Sequence, residues 1–385
     1  MNAAEDKPKT SGFVHAKWPW RFFLASFWLS QAAPLHALSL LTYNVGGNGT
    51  TDWSTNAPQV QSIGRQLSYL QPDIVTFQEI PFTNTWQMTN FVKAWLPGYF
   101  LATNSGTDGF IRSVIASRHA IARSQKWLDG VTLTNFGYSG NFTRDLFEAE
   151  INVPGWTAPL HVFTTHLKAN SDSDSAQRRA AEASAISNFF VTVFLPANGT
   201  RPYLLTGDFN EDVNRPPSSG QQPIQRLVNA STGLRLTTPV NPVTGQDFTR
   251  NIRATLTVRF DYILPGGLLF SNMATSQVFR TDVLNPMPPP VLLFDDKTAS
   301  DHLPVLMAFD NPFNAPFALT SITTTSNLVT LNWETTAGRQ YDVEGSSDLQ
   351  SWTKVATSLY APSTSFAFST NVAEIMQFFR VYRAP

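Results

Sequence analysis

Ser300-Asp301-His302-Leu303-Pro304-Val305 places an acid and a histidine in front of an apolar, strand-like run. The same design recurs upstream. Thr42-Tyr43-Asn44-Val45, Phe77-Gln78-Glu79-Ile80, Thr164-Thr165-His166-Leu167, Thr206-Gly207-Asp208-Phe209-Asn210 and Arg259-Phe260-Asp261-Tyr262-Ile263 each set a polar, catalysis-capable residue at the end of a short hydrophobic run. Packing alone does not ask for polar groups there, because a buried polar group is costly unless it is bonded.

Between these runs the chain alternates strand-like and helical patterns. Leu38–Asn44 and Asp73–Ile80 read as strands. Val60, Ile63, Leu67 and Leu70 lie between them at helical spacing, closed by Pro72. Thr85 to Trp95 and Asp174 to Phe190 are further helix candidates. Gly109–Ser117, Leu146–Val153, Pro159–Thr165, Tyr203–Thr206, Arg259–Leu264 and Val305–Phe309 are further strands. The alternation predicts an α/β sandwich with mixed sheets over residues 38–311. Asn311-Pro312-Phe313-Asn314-Ala315-Pro316 signals a linker, set at 312–318. After it, Val329-Thr330-Leu331-Asn332-Trp333 and Tyr341-Asp342-Val343-Glu344 alternate with period two. Residues 319–385 therefore read as a small all-β sandwich, of fibronectin type III kind.

Composition sets outer limits. The 385 residues are 42% hydrophobic, enough for a sizeable core, and only 14% charged, against roughly 25% in an average soluble protein. With no cysteine, a disulfide framework, a thiolate zinc site and cysteine catalysis are all excluded. The net charge of −1 carries no broad basic stripe, which argues against tight non-specific nucleic-acid binding but leaves room for a local basic groove. Lys7, Lys9, Lys17 and Arg21 precede Phe22–Leu29 and then small residues up to Ala37. This order predicts a signal peptide over 1–37 and a secreted or periplasmic protein, with an uncleaved anchor as the alternative. No other run approaches about 18 apolar residues, so no further membrane span is expected, and a monomer is expected.

The chemistry follows from the residue types. Asn44, Glu79, Asp208, Asn210 and Asp301 offer oxygen, while His166 and His302 offer nitrogen bases. Hard oxygen ligands without cysteine select Mg²⁺, Mn²⁺ or Ca²⁺ over zinc. Such ions suit phosphate oxygens, and a histidine near its free pKa can accept a proton from water. A buried carboxylate, for which Asp261 is the candidate, would fix its tautomer. Metal-assisted hydrolysis of a phosphate ester uses all of these parts.

The ordered set resembles the endonuclease/exonuclease/phosphatase superfamily. That family's strand ending in Asn, Gln-Glu, Thr-His-Leu, Gly-Asp-Phe-Asn, Asp-Tyr and Ser-Asp-His all occur here in order. Gly-Asp-Phe-Asn with Ser-Asp-His carries most of the weight. The resemblance covers about Leu38 to Phe309 and implies a DNase I-like, four-layer α/β sandwich with two packed mixed sheets. It implies Glu79 as the principal metal ligand, with Asn44 beside it and Asp301 near the metal, Mg²⁺ or Mn²⁺ first and Ca²⁺ after. It implies His302 as general base or proton donor, oriented by Asp261. It further implies His166 on a phosphate oxygen, Asp208 aligning water or protonating the leaving group, and Asn210 on the phosphate. Arg144, in Phe142-Thr143-Arg144-Asp145, matches a phosphate-supporting position. The expected function is an exported phosphodiester hydrolase acting on a phosphate-ester substrate. A nuclease stands first, because Lys168, Arg178 and Arg179 follow His166 and suit a polyanion. The alternatives are a sphingomyelinase-like phospholipase, with Trp127-Leu128 and Phe136–Tyr138 as its membrane hairpin, a phosphomonoester phosphatase, and, from another class, a non-catalytic surface binding protein.

Overall fold

The computed structural model describes residues 38–49, 51–214, 221–252, 255–313, 317–325, 327–335, 339–371 and 378–383. The expected signal peptide, 1–37, lies outside them. In chain order the strands are β1 (Leu38–Asn44), β2 (Ile74–Pro81), β3 (Phe100–Thr103), β4 (Ile111–Ser117), β5 (Ile121–Trp127), β6 (Leu146–Ile151), β7 (Leu160–His166), β8 (Tyr203–Asp208), β9 (Arg250–Ile252), β10 (Thr255–Val258), β11 (Asp261–Pro265), β12 (Met273–Val278) and β13 (Val305–Phe309). The main helices are α1 (Pro58–Leu70), α2 (Met88–Trp95) and α3 (Ser173–Phe189).

Two mixed sheets form, ordered β12-β13-β1-β2-β4-β3 and β11-β8-β7-β6-β5. Three hydrophobic cores make four layers of them. Leu41, Tyr43, Phe77 and Val114 of the first sheet pack with Val60, Ile63 and Phe91 of α1 and α2. Phe163, Leu205 and Tyr262 of the second pack with Ala183, Ile186 and Phe189 of α3. Between the sheets, Leu38, Leu40, Ile74 and Ile115 meet Ala149, Val162, Leu204 and Ile263.

Strand alternation then positions the site. On the face turned toward the other sheet, β1 continues from Leu38 and Leu40 to Thr42 and Asn44, and β2 from Ile74 to Thr76 and Gln78. β7 runs Leu160, Val162, Thr164, His166, and β8 runs Leu204, Thr206, Asp208. Each central strand is apolar at its start and polar at its end. β1 pairs with β2 in parallel, and β7 with β8 in parallel, so the polar ends gather at one edge of the interface. β11 and β13 run antiparallel to their neighbours and bring the start of each strand, Asp261 and the turn at His302, to the same edge.

The polar end is stitched across the gap. Thr76 and Thr206 share a hydroxyl bond of 2.9 Å, and Gln78 Nε2 donates to Thr164 Oγ1 at 3.0 Å. Gly207 is required within the second sheet, beside the seam: it has φ +139°, and a Cβ there would sit 1.8 Å from the carbonyl oxygen of Thr165, its neighbour on β7.

Residue order did not reveal every element. β5 reads Ile-Ala-Arg-Ser-Gln-Lys-Trp and is mostly exposed, an edge strand without a hydrophobic signature. α3 continues through a π turn at Phe190–Phe194 to Asn198. Ser173–Asn198 thus contains an 18-residue window that is, by length and composition alone, apolar enough to cross a membrane, with a mean hydropathy of 1.3. Half of that window is buried within the fold, where Phe189, Phe190 and Phe194 pack edge-on against Phe163. Trp127, Leu128, Phe136 and Tyr138 also pack against this core, so the anticipated membrane hairpin is a covering of α3.

The C-terminal segment is all-β, with strands β14 (Leu319–Thr325), β15 (Leu328–Glu334), β16 (Arg339–Ser346), β17 (Thr353–Ala361), β18 (Ser365–Asn371) and β19 (Phe378–Arg383). They form two antiparallel three-stranded sheets around Trp333, Tyr341 and Val343.

Glu148 anchors the outer edge of the second sheet. It accepts from His161 Nδ1 and Trp127 Nε1, each at 2.7 Å, and from Arg123 at 3.0 Å. Burial pushes its pKa up, but these donors outweigh it and hold it below the usual value. A depressed carboxylate stabilises the fold above its unfolded pKa of about 4.3 and loses that contribution as pH falls below it. Glu148→Gln is expected to cost about 1–3 kcal/mol at neutral pH and to flatten acid destabilisation below pH ~4, measured by urea denaturation across pH. Equal acid sensitivity in variant and parent would contradict this role.

Candidate active site

The polar end of the interface holds a connected set of side chains. Asn44 Nδ2 donates to Glu79 Oε1 and to Asp208 Oδ2, each at 2.9 Å, and so links the first sheet to the second. Its carbonyl oxygen accepts the Gly46 N–H at 3.0 Å, so the amide nitrogen faces the carboxylates.

Glu79 reaches this position through a bulge. The β2–β4 register slips between Phe77 and Ile80, and Glu79 takes φ +60°. The extra residue sends Gln78 into the seam and re-aims Glu79 toward Asn44. A non-glycine residue in the left-handed region costs of order 1 kcal/mol or more, a strain that the bulge and the Asn44 bond must sustain. Gly47 lets the loop after β1 lie against it, since a Cβ there would meet the Glu79 carbonyl at 2.1 Å.

Asp208 stands between two imidazoles. Its Oδ2 is 3.4 Å from His166 Nε2 and 3.6 Å from His302 Nε2. Its Oδ1 accepts the Asn210 N–H at 2.8 Å, in an Asx turn where Asn210 has φ +50°. Burial raises the pKa of Asp208, and the nearby Asp261 adds to the rise while His302 opposes it. Burial also raises Glu79, against the Asn44 bond. His166 is driven well below the usual value by burial and then by Arg144 and His302, which makes it a neutral ring.

His302 Nδ1 lies 2.8 Å from Asp261 Oδ2. Burial alone would lower its pKa, but the Asp261 and Asp208 carboxylates outweigh it and carry it up to about 10. Arg250 Nε lies 3.2 Å from His302 Nε2, a contact that uses the ring's lone pair and pulls the other way. The two carboxylates are the stronger influence, and the direction is upward.

Residues 41–302 match the model of the Endonuclease/Exonuclease/phosphatase family, more than half of the chain. The chain belongs to that family. It is accordingly a metal-dependent phosphoric ester hydrolase with a DNase I-like fold. The solved endonuclease/exonuclease/phosphatase from Bacteroides vulgatus is 17% identical and superposes with a TM-score of 0.51, over 71% of this chain and 99% of that one. D. rerio TDP2, solved with a single-strand DNA product, is 16% identical over 71% of this chain and 99% of its own, TM-score 0.48. The beta toxin of Staphylococcus aureus is 17% identical over 71% of this chain and all of its own, TM-score 0.47. No curated protein matches the sequence.

As the family requires, the donor set fits a divalent cation. Glu79, His166 and Asp208 offer ligand atoms within 4.8 Å of one another, as do Asp208, Asp261 and His302. Two carboxylates with raised pKa share one amide, and a cation between them would relieve both. Asp301 lies outside both groups. Its carboxylate is half exposed and pairs with Arg250 Nη2 at 3.3 Å. Arg144 is beside His166, donating to its carbonyl at 2.9 Å, and pairs with Asp108 at 2.9 Å. Asn210 Nδ2 donates to the Leu167 carbonyl at 3.2 Å.

Two expected basic residues are otherwise engaged. Arg179 is buried and bonds the Lys168 and Asn170 carbonyls and Glu211. Arg178 bonds the Asn141 carbonyl and lies over the Tyr138 ring. They brace the loop after His166 and the face of α3.

Three contributors escaped the sequence reading: Asp108, Thr249 and Arg250. Thr249 Oγ1 donates to Asp261 Oδ2 at 2.7 Å and accepts the Phe260 and Asp261 N–H groups. No local motif marks it. It arrives because Leu303 N–H bonds the Thr249 carbonyl and Asn251 N–H bonds the Asp301 carbonyl, a tertiary ladder. Thr249→Val is expected to cost about 1–3 kcal/mol in urea denaturation and to lower kcat more than it changes KM. An unchanged kcat would show that Asp261 is held without Thr249.

Proposed function

We propose that this chain is an exported phosphodiesterase that cleaves nucleic acid, and that the side chains gathered at the sheet interface do the chemistry. The observation that carries the reading is Asp208 Oδ2 placed between His166 and His302, with His302 backed by Asp261 and Asp208 tied through Asn44 to Glu79. Glu79, with Asn44 and Asp208 beside it, would hold Mg²⁺ or Mn²⁺. Such an ion neutralises charge on the phosphoryl oxygens.

Water attacks phosphorus, and the bond from phosphorus to the leaving oxygen breaks. A cation beside Asp208 would offset the carboxylate charge that raises His302, and the proton that water loses then passes to its Nε2 while Asp261 keeps Nδ1–H in place. Asp208 retains a proton more readily than an ordinary carboxylate and gives one to the leaving oxygen. His166, a neutral ring with its proton on Nε2, donates a hydrogen bond to a phosphoryl oxygen, and Asn210 and Arg144 support the same group.

A nucleic-acid diester is favoured over a membrane phospholipid because Trp127, Leu128, Phe136 and Tyr138 pack onto α3 rather than forming a projecting apolar hairpin. Export rests on the basic and apolar run of residues 1–37, and the segment from 319 onward is taken as an accessory module joined by the 312–318 linker.

The full chain is expected to hydrolyse bis(p-nitrophenyl) phosphate and DNA or RNA with Mg²⁺ or Mn²⁺. EDTA should abolish turnover, and His302→Ala should lower kcat by about 100-fold or more. Metal-dependent activity on sphingomyelin or inositol phosphates but not on nucleic acid would overturn the substrate, and no turnover across the panel would overturn the assigned residues.

A further inference from the structure

The register of a short ladder puts an arginine in front of His302. Arg250 and His302 are bridged as directly opposed residues, with Thr249 and Leu303 on one side and Asn251 and Asp301 on the other. Opposed residues on adjacent strands project to the same face. Arg250 Nε thus lies 3.2 Å from His302 Nε2 and Nη2 lies 3.3 Å from Asp301, while the guanidinium covers the Phe260 ring at 5.5 Å. One third of the side chain is exposed.

Beyond Arg250 the surface opens into a cavity of about 410 Å³, whose lining includes Asn210, Phe260 and the paired Arg179 and Glu211, with Asp212, as well as Arg250 itself. That is within the range of small-ligand sites. Asn210 and Arg250 are shared between the cavity and the catalytic cluster. A phosphate reaching His302 Nε2 from this side meets Arg250 first.

The local charge favours a further cation. The Glu79, Asp208, Asp261 and Asp301 carboxylates all surround the place where an anionic phosphate must rest. A fork of N–H donors on a half-exposed surface suits two phosphate oxygens. The resting partner, Asp301, is exposed enough to exchange at little cost, since a surface ion pair is worth about 0–1 kcal/mol.

We infer that Arg250 is a substrate-binding residue that exchanges its pairing with Asp301 for the scissile phosphate, with an ester arm in the adjoining cavity. This deepens the phosphoester-hydrolase reading and rests on it. It differs from that reading in assigning affinity for phosphate itself, which is measurable without turnover.

The test is titration of inorganic phosphate into the full chain at fixed Mg²⁺ by calorimetry, with KM and kcat for bis(p-nitrophenyl) phosphate beside it. Arg250→Ala should raise the phosphate Kd and the KM by about tenfold or more with an unchanged melting temperature. Arg250→Lys should fall between, keeping the charge without the fork. Asp301→Asn separates this from a structural role: it removes the same ion pair yet should leave phosphate binding as tight or tighter.

Four results would overturn the inference: parental Kd and KM in Arg250→Ala, Asp301→Asn weakening phosphate as Arg250→Ala does, no phosphate binding by a parent that hydrolyses the ester, or a rise in kcat/KM in Arg250→Ala, which would make the arginine a plug. Failure of the parent to hydrolyse any phosphoester is a different outcome. It strikes the catalytic assignment, while the phosphate titration still decides Arg250.

Discussion

One amide joins the two halves of this enzyme. Asn44, at the end of β1, donates to Glu79 within its own sheet and to Asp208 in the opposite one. Gln78 to Thr164 and Thr76 to Thr206 repeat the link deeper in the interface. Buried polar groups are tolerable only when bonded, so these pairs admit few ways of facing the sheets against each other. The apolar half of the interface brings the sheets together without specifying register, and the polar half specifies it. The residues that fix the register are continuous with those that meet the substrate.

That economy explains the direction of the pKa shifts. The cluster is buried enough to penalise charge, which raises Glu79 and Asp208 and lowers His166. His302 escapes because two carboxylates face it. The two histidines flank the same Asp208 oxygen yet are driven in opposite directions, one to a neutral donor and the other to a strong proton acceptor. Separation of titration behaviour between neighbouring groups is what divides acid, base and hydrogen-bonding roles within one small site.

Much of the site was legible because it lies at strand ends, where a polar residue after an apolar run is conspicuous. Asn44, His166, Asp208, Asp261 and His302 were all visible this way, and the structure brings them together. Glu79 was visible as a residue, but the bulge that aims it was not, because Gln78 and Glu79 would face opposite sides of a regular strand. Arg250 and Thr249 carry no local signal; a tertiary ladder with Asp301–Leu303 delivers them. Arg178 and Arg179 mislead for the converse reason. They follow His166 in sequence, yet α3 turns them into carbonyl-binding braces. Edge strands such as β5 were missed since exposed strands need no hydrophobic alternation.

The central claim is that the sheet interface assembles one metal-bearing phosphoester site around Glu79, Asn44 and Asp208. Crystals of the full chain grown with Mn²⁺ and examined by anomalous scattering test it most directly. The account predicts an anomalous peak against the Glu79 carboxylate, on the side of Asn44 and Asp208, that disappears in Glu79→Gln. A peak at another carboxylate cluster, or one that survives Glu79→Gln, would contradict it.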